Sequence, residues 1–146
     1  MQNQKRGEEE KKMTYEEKKR YLSQYVCLKN IISALLSDRA YWQSVGVSMA
    51  AGGGSGNGKS SGSKVETSAV NIAKITAEIE AEIKECVEVR KNIRNAIERL
   101  GNGKYKTVLY DVYIDGKSRD QVANDRGTSV NNINTIIYRA LEKMDM

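Results

Sequence analysis

Apolar residues recur at three- and four-residue spacing through Tyr21, Tyr25, Leu28, Ile32, Leu35 and Trp42, with Arg39 interrupting the stripe at one position. That spacing collects them on one face of an α-helix. Thr14, followed three residues later by Glu17, forms a capping box in front of the stripe, so the pattern predicts a helix from about Thr14 to Ser44. A second stripe begins after Val65 and runs through Ile72, Ile75, Ile79, Ile83, Cys86, Val89, Ile93, Ile97 and Leu100. Both stripes are narrow and flanked by charged faces, as in a coiled-coil seam. Between them, Gly46 to Lys64 is dominated by Gly and Ser, the composition of a flexible linker. Two long helices joined in this way most simply fold back as an antiparallel hairpin. Whether the seam closes within one chain or between chains stays open, but the narrow stripes leave apolar surface that favours a homo-oligomer.

Gly101-Asn102-Gly103 closes the second helix, since Gly readily takes the left-handed conformation of a C-terminal cap. Three shorter helical patterns follow, from about Tyr105 to Ile114, Ser118 to Asp125 and Val130 to Met144. The fold class expected is therefore all-α, a long coiled-coil-like hairpin over residues 14–100 followed by a small domain over residues 105–146. Residues 1–13, mostly charged, read as a disordered tail.

The last two patterns carry the functional signal. A helix-turn-helix needs a small residue where its helices cross, a Gly in the turn, and apolar residues on the inner face of the second helix. Ala123, Gly127, Ile133 and Ile136 fall at relative positions 0, +4, +10 and +13, as that geometry requires. Ser118 and Ser129 are placed to cap the two helices. On a helical projection Ile133, Ile136, Ile137, Ala140, Leu141 and Met144 share one face, and Asn131, Asn134, Thr135 and Tyr138 lie opposite. Asn and Thr are mediocre helix formers but good readers of bases: Asn pairs bidentately with adenine, and Thr bonds a base edge or touches the thymine methyl. Asn131, Asn134, Thr135 and Tyr138 are therefore the candidate base contacts. Lys117, Arg119, Asn132, Arg139 and a backbone amide at Ser129 are the candidate phosphate contacts.

Charge permits this reading without establishing it. The 24 Lys and Arg exceed the 19 Asp and Glu by five, but Gly101 to Met146 holds seven basic and six acidic residues. The chain has no Pro to interrupt long helices and no His, which removes His-based acid–base catalysis and Cys/His zinc sites. Neither a metal nor any other cofactor is expected. Cys27 and Cys86, both within apolar patterns, read as small buried residues rather than a disulfide pair. No stretch approaches the roughly 20 apolar residues that span a bilayer, and the charged N-terminus lacks the apolar core of a signal peptide. A cytoplasmic, non-membrane protein is the expectation.

Gly53 to Ser60, GGSGNGKS, matches the P-loop pattern letter for letter. P-loop chemistry needs a buried strand before the loop and a helix starting at its Lys. Here an amphipathic helix precedes the loop, and Ser61-Gly62-Ser63 after it should break a helix. Linker composition explains the match, and a nucleotide-binding enzyme is not expected.

Arg119 to Met144, RDQVANDRGTSVNNINTIIYRALEKM, resembles region 4 of sigma-70-type factors. The shared pattern runs through Val122-Ala123, Gly127-Thr128-Ser129 and the closing Arg139-Ala140-Leu141-Glu142-Lys143-Met144. Extended back through Tyr105 to Tyr110 and Tyr113 to Lys117, the chain is similar to a family of small phage-encoded sigma-like proteins of Gram-positive hosts. The resemblance implies contact with a promoter upstream element, and bacterial RNA polymerase as a partner, in the cytoplasm of a bacterial host. Two departures bear on it. Arg126 stands where the family has Leu before the turn Gly, and nothing resembles the region that melts promoter DNA. What is implied is a polymerase-recruiting activator rather than a complete sigma factor. Two rivals remain: a phage small terminase subunit that marks a genome for packaging as a ring, and a coiled-coil scaffold whose C-terminal domain binds only protein.

Overall fold

The computed structural model describes residues 12–51 and 60–146, and among these every regular element is a helix. Helix α1 spans Tyr15–Ala51 and α2 spans Ser60–Glu98. The chain is all-α, with two long helices packed against each other and followed by short ones. Most of the expected disordered tail, residues 1–11, and the greater part of the P-loop-like run, residues 52–59, lie outside the described residues.

The capping box starts α1 as the sequence predicts. The Thr14 amide donates to Glu17 Oε2 at 3.1 Å and the Glu17 amide donates to Thr14 Oγ1 at 3.3 Å. The helices extend further into the Gly/Ser segment than its composition suggests, α1 reaching Ala51 and α2 beginning at Ser60. Ser61-Gly62-Ser63 therefore does not break a helix. A Gly costs a helix only about 1 kcal/mol relative to Ala, an amount that a long helix readily absorbs.

The chain divides into two compact units. One consists of Cys27–Val89. Within it Gly46 lets the two helices approach, since a Cβ there would meet Ser68 Cβ at 3.7 Å. Ser68, Ile75, Ile79 and Cys86 are its buried side chains among the described residues. Leu28, Ile32, Leu35 and Trp42 are only half-buried, and Ile83, expected in the seam, is 46% exposed. Cys27 is exposed rather than buried, because it falls beside the α1 stripe and not on it.

The other unit joins Arg90–Met146 to the start of α1, up to Val26. The sequence pattern separates hairpin from C-terminal domain at Gly101. Here instead the first turns of α1 and the last turns of α2 share a core with the short helices. Leu22, Ile93, Ile97, Val108, Leu109, Val122, Ile133, Ile137, Ala140 and Leu141 are fully buried, and the Arg90 guanidinium lies over the Tyr25 ring at 5.9 Å.

Neither Gly101 nor Gly103 takes a positive φ, so no left-handed cap ends α2. Asn102 acts instead as the N-cap of α3, Gly103–Leu109, with its Oδ1 accepting from the amides of Lys104 and Tyr105 at 3.0 and 3.4 Å. A π-helical turn, Tyr110–Ile114, follows directly and is closed by the Asp115 amide on the Tyr110 carbonyl at 2.9 Å. Helices α4, Arg119–Asp125, and α5, Val130–Lys143, complete the chain.

Candidate nucleic-acid interface

Local sequence builds this region almost completely. Ser118 Oγ accepts from the Gln121 amide at 3.1 Å and Ser129 Oγ accepts from the Asn132 amide at 3.1 Å, so both expected N-caps form. Gly127, at φ 63°, makes the left-handed turn between α4 and α5. Ala123 is buried where the two helices pack, and the inward face of α5 (Ile133, Ile136, Ile137, Ala140, Leu141) is buried as patterned.

Of the proposed base contacts, Asn131 and Thr135 are exposed one turn apart, and the Thr135 hydroxyl donates to the Asn131 carbonyl at 2.9 Å. That bond holds the Thr135 side chain against its own helix with its methyl and oxygen lone pairs outward. Asn134 is half-buried, its Oδ1 accepting from Arg119 Nη1 at 2.6 Å. Tyr138 is 48% exposed and leans on Tyr15, with ring centroids 5.2 Å apart at 47°. A hydrogen bond to the Glu142 carboxylate raises its hydroxyl pKa above the ordinary value.

The proposed phosphate contacts divide into two groups. Ser129, Asn132 and Arg139 are exposed, and Asn132 Nδ2 donates to Thr128 Oγ1 at 2.7 Å. Lys117 and Arg119 are half-exposed and already engaged. Lys117 pairs with Asp125 at 3.5 Å, and Arg119 is held on Asn134. An exposed ion pair of this kind is worth under about 1 kcal/mol, so phosphate can displace it readily.

The residues that seat the interface were not all visible in sequence. Arg126, the departure from the sigma pattern, pairs with Asp111 at 2.9 Å and ties the end of α4 to the π turn. Tyr113 is buried within that turn, and burial raises its hydroxyl pKa although Arg119 nearby opposes the shift. The Tyr110 hydroxyl donates to Glu98, fastening the π turn to the end of α2. This bond, with Lys106 3.3 Å away, lowers the Glu98 carboxyl pKa. Lys18 is buried and donates to the carbonyls that end α5. Lys18 carries no sequence signal, for it lies among charged residues on an amphipathic helix.

The chain belongs to the family described as "Protein of unknown function (DUF1492)", whose match covers residues 54–145 and so includes α2 and the whole candidate interface. No curated protein and no solved structure matches it. No helix among the described residues is long and apolar enough to cross a membrane.

Proposed function

Starting from a family with no assigned activity, we propose that the chain is a sequence-specific DNA-binding regulator of transcription, a phage activator acting with host RNA polymerase. The observation that supports this reading is the face of α5 around Asn131 and Thr135. It is polar, exposed and close to the N-terminus of a helix whose opposite face is buried against α3 and α4. A recognition helix enters the major groove by that end, with its first turns at the base edges. Exposed Arg139 on the flank and Lys117 before α4 supply cations on either side for phosphates. The π turn is consistent with it, since such turns collect at functional sites.

Self-association through the hairpin is part of the same proposal. Ile31, Leu36, Tyr41, Val47, Val65, Val70, Ile83 and Val87 are large apolar side chains exposed within Cys27–Val89. A second copy covering them would bring two recognition helices to one site.

Selection of duplexes from a random-sequence pool by the full chain tests the reading. Enrichment of a common motif, bound with an affinity that falls steeply with salt, is expected. Recovery of an unenriched pool would refute sequence-specific reading. A closed ring of subunits on the selected DNA would favour genome packaging over activation.

A further inference from the structure

We infer that Arg119 sets the base preference of Asn134, turning it into a donor that selects guanine or thymine over adenine; this rests on the DNA-reading proposal. Arg119 Nη1 donates to Asn134 Oδ1 at 2.6 Å. A guanidinium carries five donors and no acceptor, so only the amide oxygen of Asn134 can face it. The usual ambiguity between the oxygen and nitrogen of an Asn amide is thereby closed by chemistry. Asn132 shows the contrast: its amide meets the Thr128 hydroxyl, which either donates or accepts, and its orientation is not fixed in the same way.

The Arg119–Asn134 bond is part-buried and charge-assisted, which makes it stronger than a neutral one. Arg119 is itself well seated. It opens α4 directly after the Ser118 cap and lies beside the buried ring of Tyr113.

Bidentate recognition of adenine requires Asn Oδ1 to accept from the N6 amine while Nδ2 donates to N7. With Oδ1 turned onto Arg119, only the two Nδ2 donors remain to face a base. Guanine offers acceptors at O6 and N7, and thymine at O4. Adenine offers N7 alone, next to an N6 amine that has no acceptor to meet. Asn134 is the fifth residue of α5, within the first turns that a recognition helix presents to base edges. Arg119 is then more than a phosphate contact: it is a positioning residue that acts on specificity through Asn134.

Parallel selections from a random-sequence duplex pool, using the full chain and its Asn134→Ala, Arg119→Ala and Arg119→Lys variants, test this. The motif enriched by the wild type should contain one position whose preference disappears in Asn134→Ala. At that position guanine or thymine should exceed adenine by roughly tenfold in affinity. Arg119→Ala frees Oδ1 and should move the preference there to adenine while keeping the rest of the motif. Arg119→Lys still presents only donors to the oxygen and should keep the wild-type base, so the inference stays testable if Arg119→Ala folds poorly. A wild-type preference for adenine or cytosine at that position overturns the inference. So does an Arg119→Ala variant that loses affinity equally for all sequences, or a motif in which no position depends on Asn134. Those three outcomes leave DNA reading intact, whereas a wild type that enriches no motif overturns both.

Discussion

Lys18 Nζ donates to the carbonyl oxygen of Leu141 at 2.8 Å, joining residues 123 apart in sequence, and reaches that of Met144 at 2.9 Å. The last carbonyls of a helix have no partner within it, and the C-terminus carries the negative end of the helix dipole. A cation brought there from α1 satisfies both demands for α5. The proposed recognition helix is thus held at its far end by the N-terminal segment of the chain. Lys18→Met keeps the apolar stem and removes the donors, leaving buried carbonyls short of a partner. It should destabilise the unit formed by Arg90–Met146 and the start of α1 by about 2–3 kcal/mol in urea unfolding. A loss below about 0.5 kcal/mol would show that water replaces the lysine at no cost.

The fragment Arg90–Met146, made without α1, should melt well below the full chain, because it lacks Lys18, Leu22 and the Tyr15 ring that rests on Tyr138. Circular dichroism melts of the two proteins compare them directly. Equal melting temperatures would mean that α1 adds nothing to that core.

Burial raises the Tyr113 hydroxyl pKa above its ordinary value. A folded-state pKa above the unfolded one gives stability that is complete below the unfolded pKa and is lost as pH rises through the folded pKa. The full chain should therefore lose stability above about pH 10. Tyr113→Phe removes the titrating group and should lose less over the same range in denaturant titrations at stepped pH. Identical pH slopes for the two proteins would rule Tyr113 out as a cause of alkaline unfolding.

Gly127 sits at φ 63°, and a Cβ there would meet nothing within 4 Å. Its requirement is conformational alone. Gly127→Ala should cost about 1 kcal/mol and Gly127→Asn less, since Asn tolerates the left-handed region. Equal stability of all three proteins would mean that the turn can relax away from positive φ.

The eight exposed apolar side chains of Cys27–Val89 predict self-association at micromolar concentration, weakened in an Ile83→Lys, Val87→Lys double variant. Sedimentation of wild type and variant decides. A wild-type chain that stays monomeric at every concentration tested would contradict the shared-hairpin proposal.

Sequence specified whatever depends on near neighbours. The Thr14–Glu17 box, the Ser118 and Ser129 caps, the Gly127 turn and the buried isoleucines of α5 all arise from spacings of a few residues, and all form as read. The misreadings have physical reasons too. Gly101 and Gly103 suggested a left-handed cap, but Asn102 between them is a better N-cap for α3 than its neighbours are a C-cap for α2. Cys27 was assigned to an apolar stripe whose spacing it misses. Contacts made across the chain left no local trace. The Lys18 bonds to α5, the Tyr15–Tyr138 pair and the Arg126–Asp111 bridge come from charged or amphipathic residues that also suit a solvated surface. The bond between Arg119 and Asn134 belongs with them, for the same residues read separately suggested a phosphate contact and an adenine contact.

Affinity of the wild type and of Asn131→Ala, Thr135→Ala and Arg139→Ala for the selected duplex and for random DNA, followed across salt concentration, tests the central claim most directly. Asn131→Ala and Thr135→Ala should each lose about 1–3 kcal/mol on the selected duplex and little on random DNA, because a base contact carries discrimination. Arg139→Ala should weaken both alike and reduce the salt slope by about one unit, as loss of a phosphate contact does. Wild type and all three variants binding both DNAs equally, with no dependence on salt, would contradict the assignment of α5 as a recognition helix.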